Sequence, residues 1–418
     1  MQLHRQRTLD FLIDPELYLY TDDGGEGFEG YFEKPTPSAP NNRAVLGFVK
    51  DTKFSVDRGY FTEPTEVAIT TETPGATIRY TVNGNPPTAA SGQLYTGPIT
   101  VSSTQTIRAA AFKDGFRETN VDAQTYLFTS DIRTQSDMSA AITNNAAYSA
   151  QIEPGLRSLP AVALSLRNSD FFDANGIHSI ATLEGRAQEV EVSFEFFDPE
   201  DGSMTQANGG IRIHGGNART HPKKPLRLYF RSEYGPGRLG FPLFDGAPVQ
   251  SFDQLILRPG GHDSWSLADV FGTSTFDLPA HGTIMRDQFL RRTENAIGIL
   301  SPVGRYVNLF INGRYWGVYD LHERANATYF ADHLGGAEDD FDVVHHPEFS
   351  NQDYVVTDGT ADSWQDLVDR AAAGVTSPSA YAEVAEMLDI DSFIDHMIVR
   401  MWSGDYDWCA RSTARAKT

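Results

Sequence analysis

The residues with the most chemistry to offer lie in His214-Gly-Gly-Asn-Ala-Arg-Thr-His-Pro-Lys-Lys-Pro-Leu-Arg-Leu-Tyr-Phe230, where a glycine-bearing turn precedes two lysines and an extended, arginine-bearing segment. Backbone amides in such a turn can hold anionic oxygens, and Lys223, Lys224 or Arg227 can neutralise phosphate. The bland alternative is a solvated basic strand edge. It is not a Walker loop, which needs Gly-Lys-Ser/Thr opening a helix. His322-Glu323 invites comparison with zinc proteases, but the second histidine belongs four residues after the first, and that position is Asn326. His345 and His346 are adjacent and diverge on an extended chain. No Gly-x-Ser-x-Gly elbow occurs, and the acidic run from Asp22 to Gly27 lacks the alternating ligands of a calcium hand. Asp405 and Asp407 sit in Ser403-Gly-Asp-Tyr-Asp-Trp408, which by itself reads as a solvated acidic turn.

The elements that must position these groups come in two styles. Residues 50–128 alternate in short segments: Val67 and Ile69, then Ile78, Tyr80 and Val82, keep period two, Asn83-Gly84 signals a hairpin, and Tyr95–Val101 and Thr106–Phe112 add strands. That spacing predicts a small β-sandwich with an independent core. Residues 129–160 are polar and weakly patterned and read as a connection. Beyond 160, strands and helices mix. Val307, Leu309 and Ile311, Asn312-Gly313, then Tyr315, Gly317, Tyr319 and Leu321 make a hairpin. Met285–Ile297 reads as a short helix with Arg291 and Arg292 outward. Asp389 suits the N-cap of a helix whose apolar positions Ile390, Phe393, Ile394, Met397, Ile398 and Met401 recur at three and four.

Composition narrows the class. The chain has 418 residues, long enough for more than one domain, and 34 Lys plus Arg against 56 Asp plus Glu give a net charge of −22. Such a balance disfavours nucleic acid and anionic membrane as partners, while leaving room for a local basic pocket. No apolar run suits a transmembrane helix, and the charged N-terminus is no signal peptide. The single Cys409 excludes an intrachain disulfide and any all-cysteine metal site.

Thr73-Pro-Gly-Ala-Thr-Ile-Arg-Tyr-Thr-Val82, Tyr95-Thr-Gly-Pro-Ile99 and Thr106-Ile-Arg-Ala-Ala-Ala-Phe-Lys113 resemble the immunoglobulin-like domain at the C-terminal end of chitobiases, a module appended to many bacterial surface proteins. The resemblance implies an accessory spacer and, through its chitobiase association, cell-surface polysaccharide as a candidate partner. Pro35-Thr-Pro-Ser-Ala-Pro-Asn41 resembles the closing edge of a lamin-tail-like domain, so residues 1–45 read as a remnant of it with a Pro-rich linker.

From 160 onward the chain resembles the spore-coat protein H (CotH) kinase family, atypical secreted or surface kinases with a divergent protein-kinase-like fold that bind ATP with magnesium. The matching pieces run in order through Gly210–Arg219, Pro222–Leu228, Tyr234-Gly, Phe241–Phe244, Phe252–Arg258, Ile284–Asp287, Val307–Tyr319 and His322-Glu-Arg324. By resemblance, Lys223 or Lys224, supported by Arg227, supplies the cation on phosphate. Asp287 or Glu294 orients that lysine, and Glu323-Arg324 resembles the hinge beside the adenine pocket. Ser403–Trp408 is similar to the family's Asn-x-Asp-Trp turn, which puts Asp407 at the catalytic position. The family continues with an Asn, an aromatic strand and a Trp-Asp segment holding a metal-binding Asp, whereas this chain reads Cys409-Ala-Arg-Ser-Thr-Ala-Arg-Ala-Lys-Thr418. The resemblance therefore implies a C-terminally incomplete domain with weakened magnesium binding and impaired activity. The metal ligands stay unassigned.

These readings give an α+β multidomain chain: the 1–45 remnant, a β-sandwich at 50–128, a linker at 129–160, and a divergent protein-kinase-like α+β domain at 160–418. The implied function is ATP- and magnesium-dependent phosphoryl transfer to a protein substrate's hydroxyl, in a secreted or cell-surface setting. The competing reading is a catalytically inactive surface or structural binding protein associated with carbohydrate.

Overall fold

A computed structural model describes residues 31–32, 44–264, 282–345 and 354–404. The catalytic-position Asp407, with Asp405 and Cys409, lies outside them. The chain forms two compact units, each discontinuous in sequence: residues 1–173, 192–208 and 308–316 make the first, and residues 174–191, 209–307 and 317–418 the second. Among the described residues no helix is long and apolar enough to cross a membrane.

In the first unit the predicted β-rich domain is present. Its strands are β1 (Thr52–Phe54), β2 (Gly59–Phe61), β3 (Thr65–Val67), β4 (Ile69–Thr71), β5 (Thr77–Thr81), β6 (Gln93–Leu94), β7 (Ile99–Val101), β8 (Gln105–Phe112) and β9 (Asp122–Phe128). One sheet runs β2-β9-β8-β5-β6, with β2 parallel to β9 and the other pairings antiparallel. The remaining strands pair as β1 with β4 and β3 with β7. β8 and β9 are buried along nearly their whole length, and period two decides which side each residue packs on: Ile107, Ala109 and Ala111 of β8 and Tyr126 and Phe128 of β9 join Val67, Ile69, Ile78 and Val101 in one core. Gly84 has φ +81°, but Asn83 stays out of the left-handed region and the next strand begins only at Gln93, so the Asn-Gly pair starts a longer loop between β5 and β6 in place of the expected two-residue hairpin.

The opposite face of β9 builds a second core. Leu127 packs with Ile132 and Leu156, from the stretch that reads as a connection, and with Ala161 and Ala163 of β10 (Ala161–Ser165), Phe197 of β11 (Val190–Phe197) and Phe310. Fully buried Glu195 of β11 accepts the Thr125 amide at 2.9 Å and Arg58 Nε at 3.0 Å. Polar residues thus fasten β9 on the face that also carries Leu127.

The second unit carries the mixed α+β part. Residues 209–213 of β12 (Met204–Ile213), β13 (Leu226–Tyr229), β14 (Gln254–Arg258) and residues 317–323 of β16 (Arg314–Glu323) form an antiparallel sheet in that order; β15 (Gly304–Ile311) precedes β16 and has its residues 308–311 in the first unit. The turn joining β15 to β16 has Asn312 at φ +50° and Gly313 at φ +78°, the left-handed pair of the predicted hairpin. The helices that follow include α1 (Arg286–Ala296), α2 (Ala327–Leu334), α3 (Asp362–Ala372), α4 (Pro378–Ala385) and α5 (Ile390–Ser403). Asp389 caps α5 by accepting the Ser392 amide at 3.0 Å, and Gly404 closes it at φ +65°. The apolar stripe of α5 stays open, with Phe393 at 45% and Met401 at 65% exposure, and only Val399 is buried.

One orientation needs correction. Arg292 is exposed, but Arg291 is buried, because α1 docks through a polar face of Gln288, Arg291 and Glu294. Gln288 donates to the Gly304 carbonyl at 2.6 Å, Arg291 to Pro302 at 3.1 Å, and Glu294 accepts Ser301 at 2.8 Å. Buried backbone carbonyls and a hydroxyl reward polar side chains there as an apolar wall would reward leucines.

Candidate active site

The second-unit sheet sorts its side chains by register. Ile211 faces Leu228, Leu228 faces Leu255, and Leu226, Leu257 and Leu321 form the next row, so one face is apolar. Alternation sends Arg212, Arg227, Ile256 and His322 in one row, and Arg258 and Asp320 in another, to the opposite face. His214 and Arg324 extend that face just beyond the ends of β12 and β16. Within a chain of net charge −22, one sheet face thus gathers four arginines and two histidines.

Positive charge shapes the acid–base behaviour of this face. His214 and His322 are held well below the usual histidine range, first by burial and then by Arg324 and Arg227 around His214, and by Arg291 and Arg258 around His322. Burial, reinforced by Arg324 and Arg212, lowers Arg227 to about 10. Burial also lifts Asp320 to about 6, although its carboxylate receives a guanidinium N–H from Arg291.

At one edge Asp287, Asp320 and His322 offer ligand atoms within 4.8 Å of one another. Asp287 also receives Arg258 at 2.9 Å and Arg291 at 3.3 Å. Magnesium wants near-octahedral oxygen ligands and keeps several waters. Two arginine-bound carboxylates and an imidazole do not fit it, so no magnesium step is derived from this set.

The residues singled out in the sequence fall in separate places. Arg227 lies on the charged face, held by the amide oxygen of Gln254, with its Nε 2.7 Å away. Asp287 reaches the same face from α1. Lys224 is committed to the loop, where its ammonium donates to the carbonyls of Arg219 and His221 at 2.9 Å each. Lys223 has looser ties, 3.4 Å from the Val318 carbonyl and 5.0 Å from the Tyr319 ring centre, and burial lowers it to about 8. Glu323 has the parity of the apolar face; buried, it accepts the Val303 amide and binds His333 Nε2, both at 2.9 Å. Glu294 joins α1 to α5 through Arg400 at 3.0 Å. Sequence reasoning passed over Arg212, Arg258 and Asp320, and the available signal was a charge set among apolar strand neighbours: Arg212 between Ile211 and Ile213, Asp320 between Tyr319 and Leu321, and Arg258 after Leu257.

Comparison with known families bears on this region directly. Residues 211–416 match the family described as CotH kinase protein, and residues 56–123 match the chitobiase/beta-hexosaminidase C-terminal domain. Just under half of the chain is thus similar to the CotH kinase family. The CotH match takes in β13, β14, β15, β16 and α1, hence nearly all of the charged face, and the fold of this region is kinase-like. Among curated proteins none matches the chain.

Proposed function

We propose that the chain is a CotH-type protein kinase of impaired activity that binds ATP with magnesium and transfers the γ-phosphoryl group to a protein hydroxyl. The observation that carries the reading is the coincidence of the CotH match with the cationic sheet face of an acidic chain. Phosphoryl transfer asks a protein chiefly for positioned positive charge and an oriented nucleophile. The hydroxyl oxygen forms the new bond to the γ-phosphorus while the bond to the β–γ bridging oxygen breaks, and ADP leaves. Asp407, by its place in the family's turn, accepts the hydroxyl proton.

Lys223 is the better candidate for the phosphate cation. Its weak ties leave the ammonium available, whereas Lys224 would have to abandon two carbonyls. Arg227 supports the phosphates, Asp287 orients the cationic groups from α1, and Glu323 with Arg324 forms the adenine-side hinge. Magnesium enters with ATP and is assigned none of the described carboxylates. The sandwich serves as an accessory module in a secreted or cell-surface setting.

The test is ATP titration and phosphoryl transfer by wild type, Lys223→Met and Asp407→Asn. Loss of a charge-assisted contact should weaken ATP binding about tenfold in Lys223→Met. Asp407→Asn should retain ATP binding and lose transfer. Equal transfer by Asp407→Asn would overturn the assignment, and no ATP binding by wild type would favour the binding-protein reading.

A further inference from the structure

Beside the charged face lies a small cavity of about 150 Å³, lined by Glu184, Arg212, His214, Arg219, Arg227 and Tyr229. Three guanidiniums crowd the Tyr229 ring: Arg212 at 3.9 Å, Arg231 at 4.8 Å and Arg227 at 4.9 Å from its centre. Their neutralisation is uneven. One buried carboxylate, Glu189, serves Arg186 at 2.8 Å, Arg231 at 3.0 Å and Arg212 at 3.2 Å. Arg219 has Glu184 at 3.2 Å and donates to the carbonyls of Ala181 and Leu183. Among the described residues Arg227 hydrogen-bonds only the neutral amide of Gln254, with the Asp253 carboxylate acting on it without a direct ion pair, and the nearby Arg324 Nε has no hydrogen-bond partner.

Like charges converging in a small cavity are costly unless an anion completes them. Planar guanidiniums offer paired N–H groups that match tetrahedral oxyanions. The volume is well under the roughly 300–1,000 Å³ of clefts for drug-sized ligands, so it suits one anionic group and not a whole nucleotide.

We propose that this cavity binds a phosphate-class dianion, clamped by Arg212 and Arg227 with Arg219 behind them. A free phosphate, a phosphomonoester side chain and one phosphate of a nucleotide share this chemistry. Arg227 also serves the ATP phosphates in the function proposed above, so the inference rests on that reading for this residue, while Arg212, Arg219 and the cavity itself lie outside it.

Inorganic phosphate is titrated calorimetrically into the full chain in a chloride buffer of constant ionic strength, with phosphoserine and ATP as parallel arms. Wild type should bind phosphate saturably, and Arg212→Gln/Arg227→Gln should weaken it at least about tenfold with its thermal unfolding retained. If the double variant does not fold, Arg227→Gln alone is read, since the Gln254 partnership needs no charge. Competition by ATP identifies the anion as a nucleotide phosphate, and competition by phosphoserine alone identifies a phosphoprotein; either supports the site. No saturable phosphate binding, or unchanged affinity in a folded variant, overturns it. Failure of the kinase reading shows instead as lost transfer with phosphate binding intact.

Discussion

Replacing Asp320 by Asn should reverse part of the pH dependence of stability. Burial lifts the Asp320 carboxyl from 3.8 to about 6 even with Arg291 against it, so desolvation outweighs the ion pair. Because the native state holds this proton more tightly than the unfolded chain, the contribution is fully present below about pH 4 and is lost as pH rises through about 6. A rise of about two pH units at about 1.4 kcal/mol each corresponds to about 3 kcal/mol. Asparagine keeps an oxygen for Arg291 and carries no charge to desolvate, while Asp287 still holds that guanidinium at 3.3 Å. Urea unfolding of both proteins at pH 4 and pH 7.5 provides the measurement, and differencing them cancels groups that titrate alike. The variant should gain up to about 3 kcal/mol relative to wild type between the two pH values. A difference constant within about 0.5 kcal/mol would show that Asp320 is not desolvated as described.

Two further outcomes are expected. Glu195→Gln leaves Arg58 buried without its carboxylate and should cost about 3–5 kcal/mol by chemical denaturation, with Arg58→Met/Glu195→Gln recovering much of the loss. Gly84→Ala should destabilise the first unit by more than about 1 kcal/mol in a thermal melt, because φ is +81° and an added Cβ would lie 2.8 Å from Asn312 Nδ2 and against the Leu166 carbonyl.

Local signals carried much of the fold. Asn312-Gly313 announced its hairpin because only a few residues accept left-handed backbone, and Asp389 announced its cap because a short carboxylate reaches an orphan amide. The strand at Thr106–Phe112 was legible too, although it is buried at consecutive positions and not only at alternate ones. What escaped was polar burial. A search for apolar periodicity reads Gln288, Arg291 and Glu294 as solvent-facing, since their partners, the Gly304 carbonyl, Asp320 and Ser301, lie on other elements. Of the site, the sequence singled out Arg227 and Asp287 on the charged face, and it grouped with them Lys224 and Glu323, whose partners lie elsewhere. Neighbouring lysines look identical in sequence, and only tertiary contacts distinguish Lys223 from Lys224.

The loop between β12 and β13 is held by its own cations, with Arg219 reaching back to the Gly215 carbonyl and Lys224 gripping two more. Such a loop has surrendered its conformational entropy during folding, before any ligand arrives. An anion meeting the adjoining arginines therefore finds the backbone already ordered, and more of its interaction energy survives as affinity.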